Sequence, residues 1–168
     1  AFTLRLPAPC TGVAASGDTY VAFTRDAIYS IPGAGPARNG TGEFFPPQTL
    51  YADGGCIDWR SIVSCGAGIF FQLEADKLYV LRPGGETEWV GEAVQDTLTL
   101  YPTIVGACLC SATQQVVFSC RNTTDDTGVL LIHDVSTGYW YTDDIDATSV
   151  TEYQGRLARL SEGVITLQ

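Results

Sequence analysis

The sequence predicts an all-β protein made of successive antiparallel sheets, on three observations. Short runs rich in Val, Ile, Tyr and Phe are punctuated by turns carrying Gly, Asp and Asn. Four such units follow one another, restarting about every 35 to 50 residues, a spacing typical of repeated β modules. No window shows a convincing helical period, so helices are not expected. Together these predict blade-like sheets of β-propeller type, either a small ring or part of a larger one.

The first unit reads Tyr20-Val21-Ala22-Phe23, a turn at Thr24-Arg25-Asp26, then Ala27-Ile28-Tyr29-Ser30-Ile31, stopped by Pro32-Gly33. The second reads Gly68-Ile69-Phe70-Phe71-Gln72-Leu73, a turn at Glu74-Ala75-Asp76, then Lys77-Leu78-Tyr79-Val80-Leu81. Pro83-Gly84-Gly85 stops it, and residues 87–91 offer a further short strand. The third opens with Gln115-Val116-Val117-Phe118-Ser119-Cys120, passes a polar turn through Asp125-Asp126, and resumes at residues 129–133. The stretch from Gly128 to Trp140, an apolar strand ending in Asp134 and a turn through Ser136 and Gly138 to Trp140, is the most informative run in the chain. Asp and Ser reverse the backbone through side-chain hydrogen bonds, Gly supplies a positive φ, and Trp140 packs on the sheet just folded back. The fourth unit comprises residues 149–153, a turn at Gln154-Gly155, residues 156–160, a turn at Ser161-Glu162-Gly163, and residues 164–167.

Residues 33–62 stand apart as an extended loop. They are too rich in Gly and Pro for a regular sheet, and too aromatic for a solvated linker. Phe44, Phe45, Pro46, Pro47, Tyr51 and Trp59 are the candidate interface residues. They are expected to pack against a neighbouring subunit or, alternatively, over the domain's own core, since loops of this length are usually functional.

Composition narrows the function. The 168 residues carry 19 acidic and 9 basic side chains, a formal charge of −10. Nucleic-acid binding needs a basic footprint and is not expected. No apolar run approaches the ~18 residues of a membrane span. The chain has no Met, which is expected of a processed product or a fragment of a longer chain. Six Cys and a single His lack zinc-finger spacing. The Cys are read first as small buried apolar residues, then as disulfides, and last as metal ligands. Cys108 and Cys110, two apart on a strand, would share a face. Two glycosylation sequons, Asn39-Gly40-Thr41 and Asn122-Thr123-Thr124, matter only in a secreted chain.

Catalysis is not expected, and no cofactor or metal is called for. His133, Asp134 and Ser136 are too close in sequence to face each other as a triad. The acid pairs Asp125-Asp126 and Asp143-Asp144 are read as solvated turn formers rather than glycosidase carboxylates. Trp59, Trp89 and Trp140 could stack on sugars, but buried packing is the simpler reading.

The order of these motifs resembles the tail tube, nozzle and hub proteins of short-tailed bacteriophages, which carry β-propeller domains. The likeness rests on the hairpin of residues 22–33, the Gly/Phe/Pro loop of residues 42–47 and Asp53-Gly54-Gly55-Cys56. It continues through Ser61-Ile62-Val63, residues 68–91 and the run from Val116 to Trp140. It spans residues 20–168 but fails at residues 98–106, where nothing is recognisable. The resemblance implies a structural component of a tail, assembled in the bacterial host cytoplasm and carried in the virion. Its partners would be further copies in a ring, typically sixfold, and neighbouring adaptor, portal or tail proteins. A carbohydrate- or receptor-binding propeller module is the alternative.

Overall fold

The computed structural model describes residues 3–33, 35 and 42–168. Among the described residues fifteen strands form four antiparallel sheets, each filled in chain order. Sheet 1 holds β1 (Cys10–Ser16), β2 (Thr19–Thr24), β3 (Ile28–Ile31) and β4 (Gln48–Tyr51). Sheet 2 holds β5 (Val63–Cys65), β6 (Gly68–Glu74), β7 (Lys77–Leu81) and β8 (Thr87–Trp89). Sheet 3 holds β9 (Thr103–Cys110), β10 (Gln115–Asn122), β11 (Thr127–Asp134) and β12 (Trp140–Asp143). Sheet 4 has three strands, β13 (Ser149–Tyr153), β14 (Arg156–Ser161) and β15 (Val164–Leu167).

The first strands of consecutive sheets lie against one another, β1 on β5, β5 on β9 and β9 on β13. Small residues permit this approach. A Cβ on Gly12 would run into Ile62 and Trp59, and one on Gly106 would touch the backbone of Ser149 and Val150. Each sheet's last strand leads to the first strand of the next, so the chain steps from outer edge to inner edge three times.

Three buried clusters fill the spaces between consecutive sheets. Val21, Phe23 and Ile28 meet Ile69, Phe71 and Leu81 between sheets 1 and 2. Phe70, Leu78 and Val80 meet Ile104, Val116, Phe118 and Leu131 between sheets 2 and 3. Val117 and Leu130 meet Val150 and Ala147 between sheets 3 and 4. Among the described residues no such cluster joins sheet 4 to sheet 1. This explains the unbroken apolar run of β6: alternate residues point to opposite faces, and both faces of a middle sheet are covered. A buried polar knot also ties the sheets. Ser61 Oγ accepts the Gln72 N–H at 3.0 Å, and Gln72 Nε2 donates to the Pro102 carbonyl at 2.9 Å.

The all-β expectation holds, with differences in detail. A short helix, α1 (Gln95–Leu100), follows a 3₁₀ turn at Glu92–Val94. It is one and a half turns long, too short to show a period, and it buries Leu98 completely. Residues 33–62 are not a continuous extended loop, because they contain β4 and the 3₁₀ turn Trp59–Ser61. The unrecognised residues 98–106 hold the end of α1 and the start of β9, and β1 extends the first unit at its front. The Asn39-Gly40-Thr41 sequon lies outside the described residues.

Candidate functional site

The six candidate interface residues fall in three places. Phe44 and Phe45 sit where the loop returns to sheet 1. The Phe45 N–H donates to the Pro32 carbonyl at 2.9 Å, closing the loop at its root. Gly33 is required there: its φ is +112°, and a Cβ would strike the Glu43 carbonyl oxygen. Phe44 packs edge-on against Tyr20, with centroids 5.7 Å apart and planes at 74°. Tyr20 alternates with Val21, so it lies on the face of sheet 1 turned away from sheet 2. Phe45 is 54% exposed, Pro46 is exposed and Pro47 half-buried. This part of the loop covers its own sheet with Phe44 and leaves Phe45 exposed.

Tyr51 ends β4 and packs against the cluster between sheets 1 and 2. Trp59 is elsewhere again, in the 3₁₀ turn capped by Asp58, whose carboxylate accepts the Arg60 N–H at 2.9 Å. The Arg60 guanidinium lies over the indole, 5.2 Å from its centroid, and pairs with Asp58 at 2.8 Å. Trp59 is 63% exposed and borders a cleft of about 180 Å³ with Ile62, Gly106 and Val150, where the inner strands converge.

Several of the residues weighed for catalysis make local contacts. The Asp134 carboxylate accepts the Ser136 hydroxyl at 2.6 Å, the Ser136 N–H at 2.9 Å and the Thr137 N–H at 3.0 Å. These bonds, the Ser136 hydroxyl first, hold its carboxyl below the usual range. Gly138, at φ +76°, donates to the Asp134 carbonyl at 2.8 Å and closes the turn. The His133 ring packs between Phe70 at 5.3 Å and Trp140 at 4.5 Å. Burial pushes its pKa down. Asp125 binds the Thr127 N–H and hydroxyl within its own turn. Asp126 pairs with Arg121 at 2.9 Å, which also reaches Asp146 at 3.2 Å. This last cluster escaped sequence reasoning because Asp146 comes from a different connection, after β12.

All six cysteines are free thiols. Cys108 and Cys110 do share a face, toward sheet 4, and their thiols interact, which pushes the Cys108 thiol up and the Cys110 thiol down. Among the described residues no three His, Cys, Asp or Glu side chains are grouped to hold a metal ion, and no helix is long and apolar enough to cross a membrane.

No protein-family model matches the chain, and no curated protein does. Among solved structures, the chain is similar to the crystal structure of the computationally designed Ika4 protein. The TM-score is 0.59 at 12% identity, over 99% of this chain and 94% of that one. At that identity the likeness speaks to fold alone.

Proposed function

We propose that this chain is a non-catalytic structural component that works by docking, with its four sheets arranged as blades of a β-propeller or of part of one. The observation that carries the reading is how unevenly the sheets are covered. Among the described residues sheets 2 and 3 share clusters on both faces, while sheets 1 and 4 each share a cluster on one face. Apolar side chains remain at those ends, with Phe45 outward on sheet 1 and Ile165 73% exposed on sheet 4. The motif order supports a bacteriophage tail nozzle or hub as the particle. There the chain would stand among copies of itself in a ring, against adaptor, portal or other tail proteins. Asp125, Asp126, Asp134, His133 and Ser136 are engaged in turns, ion pairs or packing, which fits a chain that performs no reaction.

The test is assembly in the particle. Replacing Phe45 by Glu should leave the fold intact by circular dichroism and reduce incorporation into tails. Wild-type levels of incorporation, together with a chain that stays monomeric at high concentration, would defeat the reading. A carbohydrate- or receptor-binding role is the second reading, favoured by the exposed Trp59 with Arg60 over its ring. Glycan-dependent fluorescence quenching that disappears in Trp59→Ala would support it.

A further inference from the structure

A cleft of about 360 Å³ lies between sheets 2 and 3, beside the buried cluster they share. Strand alternation turns four of its side chains toward one another. The ladders pair Val80 with Glu88 and His133 with Trp140. Paired residues share a face of the sheet, as do residues two apart on a strand. Glu88 therefore stands on the face of sheet 2 that Val80 buries against sheet 3, and Arg82 joins it there through an ion pair at 2.6 Å. His133 and Trp140 stand opposite, on the face of sheet 3 that Leu131 buries against sheet 2.

These groups keep hydrogen-bonding capacity in reserve. His133 is only 8% exposed, and its Nδ1 is buried without a hydrogen bond. The Tyr139 carbonyl near the ring already accepts the Asp134 N–H at 2.9 Å. Burial, and the Arg82 guanidinium close by, keep the imidazole neutral, so one nitrogen donates and the other accepts. A buried polar atom without a partner calls for an explanation, and a bound hydroxyl supplies one. Arg82 gives Nε–H to Glu88 at 2.8 Å and an Nη1 hydrogen to the Ala67 carbonyl at 3.2 Å, which leaves further N–H groups of its fork. The Glu88 side chain is 55% exposed and retains acceptor sites.

The charges select the class of ligand. An anion would meet Glu88 and Glu92, and a cation would meet Arg82, all of which line the cleft. A neutral molecule with neighbouring hydroxyls meets neither repulsion. Each hydroxyl both donates and accepts, so the same group type can accept from Arg82, donate to Glu88 and bond either nitrogen of His133. Trp140 and Val135 give the cleft an apolar wall for the C–H groups of a ring. An apolar wall with a few placed polar groups is the usual make-up of a small-ligand site. We propose that this cleft binds a neutral pyranose unit of a glycan, held by Arg82 and Glu88 on one side and by His133 and Trp140 on the other. The site is independent of the docking reading and lies apart from the Trp59 cleft.

Glycan screening followed by NMR tests it. The whole chain is applied to an array of neutral, sialylated and sulfated glycans, and the strongest neutral glycan is titrated into ¹⁵N-labelled protein. The Trp140 indole N–H and the His133 ring signals should shift, while the Trp59 indole signal stays in place. Glu88→Gln and Arg82→Lys should each weaken binding about tenfold, as expected for a lost charge-assisted hydrogen bond, and His133→Phe about fivefold. Glu88 is exposed enough that Glu88→Gln keeps the fold even if His133→Phe does not, and circular dichroism checks both. Binding confined to sialylated or sulfated glycans would overturn the neutral class. Neutral-glycan binding that survives in the cleft variants and is lost in Trp59→Ala would place the sugar elsewhere and overturn the inference. Binding to no glycan would leave the cleft to water and overturn it as well. Each of these outcomes leaves the docking reading to be decided by tail incorporation alone.

Discussion

Trp140 offers the sharpest test of how the sheets are held together. Its indole stacks on Phe118 at 6.2 Å and 29°, leans on His133, and donates Nε1–H to the Val90 carbonyl at 3.0 Å. That single bond joins the outer strand of sheet 3 to the segment leaving sheet 2. Trp140→Phe keeps an aromatic ring and loses the donor, at a cost of about 1 kcal/mol for one net hydrogen bond. Trp140→Ala loses the ring as well. The side chain is half-buried, so about 100 Å² of apolar contact at roughly 25 cal/mol per Å² adds about 2.5 kcal/mol. For a chain of this size each kcal/mol moves Tm by about 2–4 °C. The Phe variant should therefore melt about 2–4 °C lower, and the Ala variant about 7–14 °C lower. Differential scanning calorimetry with urea titration at fixed pH measures both. Equal Tm values for Phe and Ala would mean that the donor, not the stacked ring, provides the clamp. An Ala variant as stable as the wild type would refute the coupling of the two sheets through this residue.

Gly55→Ala should cost about 3 kcal/mol by overpacking, because its Cβ would run into the Thr24 and Ala27 carbonyls. Gly17→Ala, with open space but φ +57°, should cost only about 1 kcal/mol; chemical denaturation of both separates steric from conformational strain. His133 titrates with a pKa lowered by burial from the ordinary 6.5. As pH falls below that value the unfolded chain takes the proton first, so its contribution to stability is complete above it and lost on acidification. Urea midpoints taken between about pH 7.5 and pH 5.5 should fall in the wild type and stay flatter in His133→Phe. Cys10 is exposed and should react with a thiol reagent in the native state. Cys56 and Cys120, whose thiols burial pushes up, should react only in denaturant, as mass mapping of the labelled peptides would show.

The strands that sequence reasoning located are those with bulk. Ile69, Phe70 and Phe71, or Val129, Leu130 and Leu131, announce themselves because sheets on both sides bury both of their faces. β1 was passed over because Cys-Thr-Gly-Val-Ala-Ala-Ser has little to bury; its job is to let inner strands approach, for which small residues serve best. β4 was hidden behind Pro46-Pro47 inside what reads as loop, and α1 is too brief for periodicity. The Asp134 turn was legible to the level of its hydrogen bonds, since Asp, Ser and Gly each have one local use. The candidate surface was legible only as a list. Nothing in the sequence separates Phe44, which finds Tyr20, from Trp59, which lies with the inner strands, because loop residues are placed by distant contacts.

Among the described residues the buried clusters join sheets 1 to 4 in order, and sheets 1 and 4 each keep one face outside them. At sheet 1 the chain covers part of the free face itself, with Phe44 on Tyr20. At sheet 4 Ala158 is buried while Ile165 and Leu167 on the same face are exposed. The outer faces of sheets 1 and 4 are thus unlike each other. Like surfaces meet in closed pairs, whereas unlike surfaces meet head to tail and continue. A net charge of −10 opposes any contact between copies, so contact through uncharged side chains such as Ile165 and Leu167 meets that repulsion least. If, in sedimentation velocity, Ile165→Lys abolishes association while Phe45→Glu leaves it unchanged, the outer face of sheet 4 is the joint between copies, and the loop is left to meet a different neighbour.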